Sequence, residues 1–208
     1  RQAAKTGQLN RVDVIAGVAR DENLVGSPHT TAEFQQQVDN QYGPIAGQVR
    51  QLYPLERYVS PFLAWRTLAA DSTAVCPALT TARALAKWMP VFEYQVNDGD
   101  APPDLSSGDP AGSRHVASWF ISPRREPAGG LDVNQQVLQT QELAAITTFG
   151  RTGNPTAHGL PVWPQFKNGT GAGQVMVLSP GGDTAVMPAD AIGEIHNCGF
   201  WDRVSPKP

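Results

Sequence analysis

Short apolar runs alternate along this chain with longer stretches whose apolar residues recur at helical spacing. Val12-Asp13-Val14-Ile15-Ala16-Gly17-Val18 is rich in β-branched residues and bounded by turn formers, which predicts a buried parallel strand over 12–18. From Thr30 the spacing turns helical, with Phe34, Val38, Ile45, Val49 and Leu52 on one face. Tyr42-Gly43-Pro44 interrupts that run. Tyr53-Pro54 ends it, because the residue before a proline disfavours the helical region. Pro61 to Ala70 predicts a second helix with Phe62, Trp65, Leu68 and Ala69 inward. Pro77 to Trp88 predicts a third, with Leu79, Ala82, Leu85 and Ala86 on one side. The run Pro90–Val96 alternates and predicts a strand over 91–96.

Asp132 to Thr148 carries Val133, Val137, Leu138, Leu143, Ala144 and Ile146 and predicts a further helix, stopped by Gly150, Gly153 and Asn154-Pro155. Pro161-Val162-Trp163-Pro164 is expected to dock on the surface. Val175–Leu178, the turn Pro180-Gly181-Gly182-Asp183 and Thr184–Met187 predict a β-hairpin within 174–187. The aromatic stretch His196–Asp202 predicts a short helix against the core. Residues 1–11 are polar and read as the tail of something preceding. No internal repeat and no linker divides the chain, so one domain is expected over 1–208.

Composition narrows the function classes. The 208 residues suffice for one good core. Sixteen basic and 19 acidic side chains give a formal charge of -3 with no Lys/Arg cluster, which is no footprint for nucleic acid. No apolar run approaches the length of a membrane-spanning helix, and no signal peptide is read at Arg1. The 20 glycines and 18 prolines are scattered between patterned segments, as in a loop-rich globular protein. Cys76 and Cys198 lie 122 residues apart without metal-ligand spacing. They are either two unrelated buried thiols or one long-range disulfide, which would contribute about 4–5 kcal/mol in the chain-entropy model. Asn168-Gly169-Thr170 is an N-glycosylation sequon. Both features lean toward a secreted or periplasmic protein.

Candidate chemistry gathers in two places. Ala19-Arg20-Asp21-Glu22-Asn23 puts two carboxylates where a parallel strand releases the chain, the end at which open α/β sheets bind ligands. The stretch from Asp98 to Phe120 follows the 91–96 strand through Gly, Pro, Asp and Ser to His115, which presents an imidazole at the rim of a sheet. His29, His158 and His196 lie in turns or beside a cysteine and read as structural. Trp119 and Phe120 follow His115 and either line a pocket or belong to the core.

Taken in order, seven tags carry a resemblance. They are Gly17-Val18-Ala19-Arg20-Asp21-Glu22, Leu52-Tyr53-Pro54-Leu55, Asp71 with Cys76-Pro77-Ala78, Gly112-Ser113-Arg114-His115, Phe149-Gly150-Arg151-Thr152-Gly153-Asn154-Pro155, Trp163-Pro164 and Cys198-Gly199-Phe200-Trp201. Together they resemble the C-terminal part of the type-B carboxylesterases, the cholinesterase-like α/β-hydrolases, from about Gly7 to the end. The resemblance implies an α/β fold: the C-terminal part of a single α/β-hydrolase domain, with late sheet strands, a helical insertion, a C-terminal hairpin and a helix. It implies a serine carboxylic-ester hydrolase with a Ser–Glu–His triad, Glu22 the acid and His115 the base, and no cofactor or metal. It further implies that Asp71 supports the histidine region and that Cys76 pairs with Cys198. Strand-end position alone does not choose between Asp21 and Glu22.

Departures from that pattern are Asn23, Val116 and Ser118, where the family carries Gly, Gly and Glu. No G-x-S-x-G occurs in the chain, and neither Gly26-Ser27-Pro28 nor Leu178-Ser179-Pro180 has the strand–elbow–helix pattern. The nucleophile is therefore expected on an N-terminal chain or segment of the same enzyme, the partner this reading requires besides an ester substrate. Nucleic acid and membrane are not expected partners. A non-catalytic cholinesterase-like binding or adhesion module is the alternative, and a small autonomous hydrolase using Ser27 or Ser179 a remoter one.

Overall fold

Four strands pair in the order in which they occur in the chain, in a computed structural model that describes residues 2–22, 28–99, 130–169 and 173–204. β1 (Val14–Ala19) runs parallel to β2 (Val91–Val96), with Val14 opposite Val91 and Ala19 opposite Val96. β2 runs parallel to β3 (Gln174–Leu178), with Glu93 opposite Val175. β3 turns back through a 3₁₀ segment, Pro180–Gly182, into the antiparallel β4 (Ala185–Pro188), which is the hairpin the pattern predicts. The first strand lies one to two residues later than the apolar run suggests. Gly17 is what lets it pair: a β-carbon there would stand 2.4 Å from the Tyr94 ring and carbonyl. β1 is the outer strand on its side of the described sheet, and most of it is only half-buried.

Strand alternation sorts the core into two layers. Val91, Val175 and Val177 point to one face, which is covered by α2 (Thr31–Tyr42), α3 (Ala46–Leu52), α4 (Pro61–Ala70) and α5 (Cys76–Leu85). Phe92, Val96, Met176 and Leu178 point to the other, where they meet Leu138, Ala145 and Trp163. Helix starts follow local chemistry. Thr30 and Glu33 form a reciprocal capping box at α2, and Ser60 accepts from the Leu63 amide at α4 with Pro61 in the first turn. Phe34, Val38, Val49, Phe62, Trp65 and Leu68 are all buried, as their spacing predicts. A π-helical segment, Asp71–Val75, joins α4 to α5 and turns Asp71 inward, with no exposure to solvent.

α6 (Val133–Thr152) starts at an Asp132–Gln135 capping box and ends at Gly153, whose φ of +75° is the left-handed conformation common at helix ends. Only part of its apolar set faces inward. Gln135, Leu138, Glu142 and Ala145 are buried, whereas Val133, Val137, Leu143 and Ile146 are exposed. Trp163 is also buried at 3 % exposure, so only Pro161 and Val162 of the 161–164 stretch sit on the surface. Two short helices, α7 (Ala189–Ile195) and α8 (Cys198–Val204), close the described chain. They join at Asn197, whose φ of +53° an asparagine tolerates. The polar start is not featureless, since α1 (Gln2–Thr6) is pinned where the Trp88 indole donates to the Ala4 carbonyl at 2.7 Å. Cys76 and Cys198 are joined by a disulfide, with Cα atoms 5.2 Å apart.

Candidate active site

The parallel strands β1, β2 and β3 release the chain at one edge of the sheet, the edge at which such sheets hold ligands. Asp21 and Glu22 follow β1 there, Asn97 and Asp98 follow β2, and Ser179 follows β3. The edge is tied laterally. The Arg20 amide donates to Val96 O, the Asn97 amide donates to Leu178 O, and the Arg20 guanidinium reaches Asn97 Oδ1 at 2.6 Å.

Asp21 and Glu22 have different surroundings. Asp21 is 4 % exposed, with one carboxylate oxygen accepting from Thr67 Oγ1 at 2.7 Å and the other from Arg20 Nε at 2.8 Å. Its backbone carbonyl accepts from both Nε and Nη2 of Arg66, itself buried on α4. Asp21 is thus an anchor, held by α4 from behind. Glu22 is half-buried and turns its carboxylate back to accept from the Ala19 amide at 2.9 Å. Sequence position alone could not separate these two roles. The separating residues, Arg66 and Thr67, lie about 45 positions away, and the only local hint is an arginine inside the otherwise apolar α4 sequence.

His115 lies outside the described residues, as do Val116, Ser118, Trp119, Phe120 and Ser27. The segment that carries it lies between Gly99, which follows β2, and Gly130, which precedes α6. Its two ends are bound together, because Gln135 Nε2 donates to Asp98 Oδ2 at 3.0 Å. Asp98 and Asp132 line a cleft of about 300 Å³ with Asn97, Ser179 and Asp183. Ser179 is buried, with its backbone held by Thr184, and its hydroxyl meets no imidazole among the described residues.

Asp71 meets a histidine, and that histidine is His196. Asp71 Oδ1 is 2.5 Å from His196 Nδ1, while Asp71 Oδ2 accepts from the Tyr53 hydroxyl at 2.7 Å. The Trp201 indole donates to Tyr53 at 2.7 Å, and Gln95 Nε2 lies 2.9 Å from His196 Nε2. An amide nitrogen can only donate, so His196 Nε2 accepts and Nδ1 carries the proton given to Asp71. Every hydrogen bond of this buried chain points toward Asp71. Burial raises its carboxyl above the ordinary range, against the pull of His196 and Tyr53. Burial likewise pushes the Tyr53 hydroxyl well up. The reading of His196 as structural fits this arrangement, but its partner 125 residues away had no local signature.

The described residues include no cluster of three or more His, Cys, Asp or Glu able to hold a metal, and no helix long and apolar enough to cross a membrane. The mixed four-stranded sheet with its helices matches the C-terminal part of an α/β-hydrolase fold, as the resemblance implies. Solved structures match it, two esterases among them. A PNB esterase superimposes with a TM-score of 0.62 at 16 % identity, and a thermophilic PNB esterase with 0.63 at 18 %. Each match covers 95 % of this chain but only 40 % of the other, so the chain spans two fifths of those esterases' length. No protein-family model matches the sequence, and no curated protein does.

Proposed function

We propose that this chain supplies the acid and the base of a Ser–Glu–His triad in a carboxylic-ester hydrolase, with the nucleophilic serine on a segment outside these 208 residues. The observation that carries the reading is the carboxyl edge. Glu22 follows β1 and the start of the segment bearing His115 follows the adjacent parallel β2, with the far end of that segment tied back through Gln135 to Asp98, while Asp21 is fully committed to holding the turn in place. In this reading the His115 imidazole takes the serine proton during attack on the ester carbonyl and returns it to the leaving alcohol. Glu22 holds the imidazole in the required tautomer and stabilises the imidazolium. The half-buried β1 edge accepts the neighbouring strand of the nucleophile-bearing segment. The disulfide fits a secreted or periplasmic setting.

The test is p-nitrophenyl ester hydrolysis and fluorophosphonate labelling, with residues 1–208 alone and joined to a segment carrying G-x-S-x-G. Alone, the chain hydrolyses no ester above background and is poorly soluble. In the joined enzyme the probe labels the serine of the added segment, and His115→Ala lowers turnover by several orders of magnitude. Glu22→Gln lowers it less, since the acid only orients and stabilises. Stoichiometric labelling of Ser27 or Ser179, or turnover within a few-fold of the parent after His115→Ala, would overturn the assignment.

A further inference from the structure

Eight asparagines occur in the chain, and one, Asn168, is followed by glycine. We propose that Asn168 is a self-modifying site, at which the backbone nitrogen of Gly169 attacks the Asn168 side-chain carbonyl and converts the residue to aspartate and isoaspartate. The inference stands apart from any triad. Both residues are exposed, and the Gly169 amide already points at the Asn168 carboxamide, donating to Oδ1 at 3.0 Å. The nucleophile and the carboxamide it attacks are thus neighbours in the folded chain. Gly169 has a φ of +122°, a conformation that strongly favours glycine, and it has no β-carbon to shield its nitrogen. The loop is anchored just upstream, where Phe166 is 1 % exposed and its amide donates to Val91 O at 2.7 Å.

Three other described asparagines differ in ways that matter. Asn154 precedes a proline, which has no N–H, and the carbonyl of Asn97 is held by Arg20. Asn197 is followed by the disulfide-bonded Cys198.

The step balances without an oxidant. The Gly169 nitrogen loses its proton to solvent base, a bond forms from that nitrogen to Cγ, the Cγ–Nδ2 bond breaks, and ammonia leaves. Water then opens the succinimide at either carbonyl. Nitrogen and hydrogen are exchanged for oxygen, which raises the mass by about one dalton and adds a negative charge. That charge appears in an open cleft of about 960 Å³ which Asn168 lines together with Arg83, Asp190, Glu194 and Arg203. The same conversion erases the Asn168-Gly169-Thr170 sequon, so glycan addition and self-modification compete for one side chain.

The experiment uses residues 1–208 from a bacterial host, held folded in mildly alkaline buffer. Conversion is followed by peptide mapping and isoaspartate-specific carboxyl methylation. Asn168 converts about tenfold faster than any other asparagine, with isoaspartate the main product, and Gly169→Ala slows it by about tenfold. Because that variant also strains the turn, a synthetic peptide of residues 165–173 serves as a second comparison. A folded chain that converts Asn168 at least as fast as the peptide supports the proposal. Retention of the Asn168 amide while other asparagines convert, a rate unchanged by Gly169→Ala, or a folded chain much slower than the peptide would each overturn it.

Discussion

The two faces of the sheet are built differently. Beneath α2–α5 the layer is thick, and it is crossed by the chain from Gln95 through His196, Asp71 and Tyr53 to Trp201. It is also stitched by a disulfide. The opposite face is thinner. It is covered by one long helix that buries two polar residues and turns Val133, Val137, Leu143 and Ile146 toward solvent. The first face is a closed interior in which the polar chain from Gln95 to Trp201 is linked end to end by hydrogen bonds. The second exposes apolar surface next to the open β1 edge, since Ile146 and Ile15 line the same small cavity. An unfinished face and an open strand edge on one side of the molecule are what the proposed additional segment would cover.

Breaking the disulfide by Cys76→Ala with Cys198→Ala should have the largest effect. The chain-entropy model assigns a closed loop of this length about 4–5 kcal/mol, which a fall in the urea midpoint would report. Next is Glu93, the flaw in the finished face. It is 2 % exposed on β2, its Oε2 has no hydrogen-bond partner among the described residues, and burial alone pushes its carboxyl up to about 8. A raised acid is kept neutral by the fold, so stability is greatest below the ordinary value of 4.5. It falls as pH rises between 4.5 and about 8, by several kcal/mol, and then levels. Glu93→Met should flatten that profile and stabilise the chain most at alkaline pH, as urea titrations across pH would show.

Asp71→Ala leaves His196 and Tyr53 without their shared acceptor and should cost about 3 kcal/mol. On the other face Leu138→Ala should cost a similar amount, about 3 kcal/mol, because Leu138 is 1 % exposed. Leu143→Gln and Ile146→Gln should change stability by about 0.5 kcal/mol or less while raising solubility. A large loss at Leu143 would mean that the second face is closed after all, and thermal unfolding with sedimentation would show it.

What could be read from the sequence was local. Thr30 with Glu33, Ser60 before Pro61, and Asp132 with Gln135 mark helix starts within three residues, and β-branched runs mark the strands. The buried face of α6 could not be read, because polar Gln135 and Glu142 point inward while Leu143 and Ile146 do not. The partner of Asp71 was equally hidden, since the pairing is made by the π-helical turn and by a helix junction far along the chain. Asp21 and Glu22 are adjacent and chemically alike. Only α4, folded against the first of them, distinguishes the two.

The Cys76–Cys198 bond also fixes the molecule's covalent topology. It closes a ring that takes in β2, the whole segment bearing His115, α6 and the β3–β4 hairpin. A single peptide-bond break anywhere inside that ring opens it without producing two separable pieces. A nick between β2 and α6 would therefore leave one particle on a non-reducing gel and two fragments after reduction, with Glu22 and the sheet's C-terminal strands still in one molecule until the thiols are freed.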